Sequence, residues 1–137
     1  MKYLLIVMLI LFPMVTNAQN DQADPPKIAI KVPLDNSVTI KGITVKFIEV
    51  VEDSRCPKDV NCIWAGRAIV KVEVDAKGKK REEILIFGET RPGETKNQIL
   101  YSTTDWMLKG LTLNPYPQAA RSEGTEYVLL ITEEKIK

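Results

Sequence analysis

Three features of this chain predict an all-β fold, a single-domain antiparallel sandwich of seven to eight strands, immunoglobulin-like in general architecture. Apolar and charged residues alternate with period two along much of its length. Turn-forming Gly, Pro, Asn and Asp divide the alternating runs at short intervals. No segment carries a convincing amphipathic helical repeat.

The first stretch, residues 1–18, reads as an export signal. Lys2 precedes an apolar run, and Thr16-Asn17-Ala18 supplies small residues at a cleavage junction, which is the secretory pattern. The run is shorter than the roughly 20 apolar residues of a membrane-spanning helix, and Pro13 interrupts it. Cleavage is expected after Ala18, leaving no membrane span, and no cysteine stands near the junction to carry a lipid. Residues 19–26 are polar, end in Pro25-Pro26 and read as a flexible leader. Residues 27–137 are then one β-sandwich domain, exported to the periplasm or the medium.

Lys27-Ile28-Ala29-Ile30-Lys31-Val32 places Ile28, Ile30 and Val32 on one face of a half-buried strand. Val38 and Ile40 continue that chemistry up to Gly42. Ile43, Val45 and Phe47 alternate with polar residues, after which Ile48 and Val50 take the opposite parity, so a bulge is expected there. Ala68, Val70, Val72 and Val74 share a face opposite Lys71, Glu73 and Asp75. Ala76-Lys77-Gly78-Lys79 predicts a hairpin turn into Glu83-Ile84-Leu85-Ile86-Phe87, whose uncharged stretch predicts a central strand. Residues 88–94 form a loop by composition. Residues 99–101 and 106–113 read as extended, with 103–109 the stretch where a helix competes. Pro115-Tyr116-Pro117 and residues 119–125 form another loop. Tyr127-Val128-Leu129-Leu130-Ile131 is the closing strand, with Glu133 and Glu134 in a charged tail.

Between two of these strands lies Asp53-Ser54-Arg55-Cys56-Pro57-Lys58-Asp59-Val60-Asn61-Cys62-Ile63-Trp64-Ala65-Gly66, which holds both cysteines. In an exported chain they permit one intramolecular pairing, Cys56 with Cys62. Closing so short a loop is worth about 2–2.5 kcal/mol, so the bond mainly holds the excursion in one shape. Pro57 narrows what the loop samples, and Gly66 reaches backbone angles closed to other residues. Val60, Ile63 and Trp64 supply an apolar underside expected to sit on the sheet edge, with Trp64 as a buried anchor. On that reading the loop is a lid over one end of the sandwich. The competing reading makes Arg55, Lys58, Asp59 and Asn61 an exposed contact surface on a rigid loop. Tyr116, held extended between two prolines, is a further displayed candidate contact.

The same segment, Asp-Ser-Arg-Cys-Pro followed by Val60, Cys62 and Trp64-Ala65-Gly66, resembles a motif of small exported bacterial proteins of unknown function. Leu113-Asn114-Pro115-Tyr116-Pro117 before a Tyr-led terminal strand fits that likeness. Many of those proteins carry a lipid-attachment cysteine, which this chain lacks. The resemblance implies export and a β-rich fold, and no activity.

Composition sets several chemistries aside. The chain holds 19 basic and 18 acidic side chains, and cleavage removes Lys2, which leaves the two signs equal. A nucleic-acid binder shows a basic excess or stripe, and the short Lys77-to-Arg81 cluster reads as a solvated hairpin tip. No histidine is present, which excludes histidine triads, Cys-His dyads and histidine-ligated metals. Two cysteines alone could hold Cu(I) if reduced, but their spacing is not that of the redox motif and export favours the disulfide. Asp53, Asp59 and Asn61 lack the EF-hand spacing. No carboxylate pair is brought together by the sequence, so no enzymatic activity, metal or cofactor is expected. The leading expectation is a non-catalytic binding or accessory protein for an envelope protein or small ligand. Its alternatives are a protease inhibitor presenting the Cys56–Cys62 loop and a thiol metal-binding or redox protein.

Overall fold

Alternating side chains can all reach a core only if strands stack in two layers, and that is the arrangement the chain adopts. The computed structural model describes residues 27–120, 124 and 126–136; the expected signal, leader and cleavage site lie outside the described residues. Eight strands occur among them: β1 Ala29–Pro33, β2 Ser37–Ile40, β3 Ile43–Asp53, β4 Arg67–Ala76, β5 Lys79–Gly88, β6 Ile99–Ser102, β7 Trp106–Asn114 and β8 Val128–Lys135. One antiparallel sheet runs β2-β3-β4-β5 and the other β1-β8-β7-β6. The likeness to immunoglobulin domains lies in the two layers. The strand order here is a pair of meanders, with β1 added beside β8.

Both sheets contribute to a single apolar cluster. Val45, Phe47, Val70, Val72, Val74 and Leu85 come from one layer, and Leu100, Leu108, Leu113, Leu129 and Ile131 from the other. Gly110 lets the layers approach closely, because a Cβ there would stand 2.9 Å from Leu85 Cδ1 and 3.1 Å from Phe87 Cζ. Two hairpins close on residue pairs with positive φ, Lys41-Gly42 and Lys77-Gly78, the geometry that matches strand twist.

The parity change in β3 is real and double. Register shifts fall between Phe47 and Glu49 and again between Val50 and Glu52. The first keeps Val50 against the core; the second turns Asp53 inward, opposite the fully buried Ala68. Adjacent carboxylates therefore leave on opposite faces: Glu52, paired with Ile69, points outward and Asp53 points inward.

Two expectations are corrected. Strand β5, expected to be central from its uncharged stretch 84–87, is an edge strand. Leu85 and Phe87 face the core, and Ile86 lies beside Ile69 on the outer face, so burial on both sides does not require two neighbouring strands. The segment leading into β6 runs back beside this edge, where Arg81 donates to the Leu100 carbonyl and Asn97 donates to Glu83. Glu133 and Glu134 belong to β8 rather than a tail, and pair with Lys41 and Lys27. The stretch 103–109 forms a turn and the start of β7, with Thr103 Oγ1 accepting from the Asp105 and Trp106 amides.

Candidate functional site

The cysteine loop leaves β3 at Asp53 and returns into β4 at Arg67, and its base is closed by backbone pairs. The Ser54 amide donates to the Arg67 carbonyl (2.8 Å) and the Cys56 amide to the Ala65 carbonyl (2.9 Å). Gly66 is required between them. Its φ is +72°, and a Cβ would lie 1.9 Å from the Ser54 carbonyl oxygen. Cys56 and Cys62 form a disulfide with Cα atoms 5.9 Å apart, a bond consistent with an oxidising compartment.

Arg55 was expected to be displayed, and it is buried instead, with its side chain 6% exposed. Asp53, turned inward by the second bulge, binds it through two contacts: Nε to Oδ1 and Nη2 to Oδ2, both 2.8 Å. Nη1 donates to the Leu113 carbonyl at 2.6 Å and Nη2 to the Pro115 carbonyl at 3.0 Å. The guanidinium carbon stands 4.8 Å from the centre of the Tyr116 ring. Tyr127 donates its hydroxyl to Asp53 Oδ2 at 3.1 Å. Burial pushes the Asp53 carboxyl up, but the hydrogen bonds and charge of Arg55, with the Tyr127 hydroxyl, outweigh it and hold it below its ordinary value. One guanidinium thus ties three segments together: the loop base, the end of β7 and the approach to β8.

Glu52 makes the corresponding cluster on the outer face. Buried Arg67 donates to both its oxygens, at 3.0 to 3.2 Å, and to Glu94 Oε2 at 2.5 Å. The Arg67 hydrogen bond and that of Ser54 lower the Glu52 carboxyl. The Arg91 amide is the main cause of the lowered Glu94.

The remaining predicted contact residues are exposed, and Lys58 and Asp59 are also tied to the body. Asp59 Oδ1 accepts from the Ala119 amide (2.8 Å), the Lys58 amide donates to the Pro117 carbonyl (3.1 Å), and Lys58 Nζ lies 5.4 Å from the Tyr116 ring centre. Tyr116 is exposed, as expected, but it is shared by these two cations. Pro57 sits at the start of a turn whose carbonyl accepts from the Val60 amide. Asn61 is exposed. A cleft of about 390 Å³ is lined by Asp53, Arg55, Pro57, Tyr116 and Tyr127 among others, but its charged groups are bonded to one another.

The apolar underside of the loop is the main correction. Val60 is 46% exposed, Ile63 93% and Trp64 74%, so these side chains face outward and the lid reading falls. The base is anchored by Arg55 and by Asp59. Ile63 was absent from the expected contact residues. Its signal was present in the run 60–66, which carries no charge although charges alternate through both neighbouring strands.

Among the described residues no three His, Cys, Asp or Glu side chains gather in a metal-ligand arrangement. Likewise no helix there is long and apolar enough to cross a membrane. Comparison with protein-family models, with curated proteins and with solved structures gave no match.

Proposed function

We propose that this is an exported, non-catalytic binding protein of the cell envelope that makes contact through the tip of the Cys56–Cys62 loop. The observation that carries this reading is the exposure of Ile63 and Trp64 on a loop whose base is tied down at every step. Exposed large apolar side chains standing together mark contact sites far more often than isolated ones do, and tryptophan is enriched among residues that dominate binding energy. Rigid presentation lowers the entropy lost on binding. The disulfide, Arg55 and the Asp59–Ala119 bond supply that rigidity.

The site residues are accordingly divided. Val60, Asn61, Ile63 and Trp64 make the contact; Arg55, Asp59, Pro57, Gly66 and the disulfide present it. The inhibitor alternative is less well supported, because residues 57–60 form a turn rather than an extended segment that could lie along a protease cleft. Envelope fractionation tests the proposal. The wild-type protein is expected to remain with the envelope fraction, and the double substitution Ile63→Asp with Trp64→Ser to release it into the soluble fraction while the melting curve stays in place. Equal retention of both proteins overturns the reading.

A further inference from the structure

The chemistry of the loop tip points to its partner: we infer that the tip inserts into the headgroup–acyl boundary of an anionic lipid bilayer. This rests on the contact reading above and names what is contacted. Four observations carry it.

The tip is exposed and apolar. Ile63 stands almost fully in solvent, Trp64 is about three-quarters exposed, and Val60 is half exposed. No charged side chain occurs from 60 to 66, so nothing on the tip has to be dehydrated at the cost an ion carries. The nearest carboxylate, Asp59, is exposed but accepts from the Ala119 amide. Two residues before Val60, Lys58 has its amide tied to the Pro117 carbonyl and its cation 5.4 Å from the Tyr116 ring.

That combination of side chains is the one an interfacial loop needs. Aliphatic side chains enter the acyl boundary, Trp and Tyr sit at headgroup depth, and a basic side chain behind them meets anionic phosphates. A protein pocket is a poorer fit. Protein interfaces carry about one hydrogen bond per 100–200 Å², and between Val60 and Ala65 only Asn61 and the Trp64 indole N–H can supply a side-chain hydrogen bond. With few apolar side chains and one lysine, the association is weak and reversible, a peripheral contact rather than an anchor.

The chain has two tryptophans, which makes the test direct. In the processed protein carrying Trp106→Phe, Trp64 is the single indole. On adding vesicles of phosphatidylethanolamine and phosphatidylglycerol, its emission is expected to shift to the blue, and brominated acyl chains to quench it. Ile63→Asp is expected to weaken vesicle binding about tenfold or more. Lys58→Ala is expected to weaken it about fivefold on anionic vesicles and much less on zwitterionic ones. Because Trp106 packs against Tyr101, wild type minus Trp64→Phe gives the same signal without disturbing that contact. Unchanged Trp64 emission at saturating lipid overturns the inference. If the wild type is nonetheless retained by the envelope through Ile63 and Trp64, the partner is a protein and only the lipid assignment fails. If neither vesicles nor envelope respond to the tip substitutions, the contact reading fails with it.

Discussion

The base and the tip of the cysteine loop differ in a way that residue type alone would not announce. The base is ionic and buried: Asp53 and Arg55 have side chains only 8% and 6% exposed, and their charges are matched by each other, by two carbonyls and by the Tyr127 hydroxyl. The tip is apolar and solvated, with Ile63 and Trp64 touching little of the body. A buried ion pair is costly to form and costlier still to break, so the base is where removing one side chain should cost most. The tip can change with little effect on the fold, which is the behaviour of a surface kept for contact.

The largest break in that contrast should come from the base. Arg55→Ala leaves Asp53 buried without its cation and strips the Leu113 and Pro115 carbonyls of a donor, and should cost about 3–5 kcal/mol in urea unfolding. A loss below about 1 kcal/mol would mean that water replaces the guanidinium and that the base is not the keystone. Gly66→Ala should follow. The left-handed backbone costs about 1–3 kcal/mol for a residue with a side chain, and the clash with the Ser54 carbonyl adds to it. Replacing both cysteines by Ala should lower stability by about 2–2.5 kcal/mol, leaving the Arg55 cluster intact. Proton exchange in the Leu113 and Tyr116 region should stay near that of the wild type, and a collapse there would show that the disulfide rather than Arg55 holds the base.

Acid sharpens the comparison. The folded Asp53 carboxyl lies below its ordinary 3.8, so its contribution is complete above that value and fades as pH falls through the lower folded one. Glu52 and Glu94, also lowered, act in the same sense on the outer face. The stability of Asp53→Asn should therefore decline less steeply than the wild type as pH drops below about 4. A parallel decline would assign the acid sensitivity to the outer cluster. The smallest effect belongs to the tip: Trp64→Ala and Ile63→Ala should each change stability by less than about 0.5 kcal/mol. A loss of the size typical for a buried tryptophan, about 3–5 kcal/mol, would mean that the side chain packs inward in solution.

These magnitudes reverse what residue type suggests. A tryptophan near a disulfide reads as an anchor and an arginine in a loop as a solvated charge, and at these positions the roles are exchanged. The reason is the second β3 bulge. By turning Asp53 inward it creates a buried anion at the end of the core, and Arg55, two residues on, is the cation within reach.

Local chemistry by itself determined the strands, the hairpins at Lys41-Gly42 and Lys77-Gly78, the parity change in β3, the disulfide and the two-layer core, because alternation, turn residues and cysteine spacing act over a few neighbours. The position of β5 at a sheet edge, the union of Arg55 with Leu113 and Pro115 and of Asp53 with Tyr127, and the outward face of Ile63 and Trp64 were decided by tertiary structure. Each depends on partners far along the chain, such as Leu113, 58 positions beyond Arg55, and burial is a property of what arrives at a surface rather than of the residue that presents it.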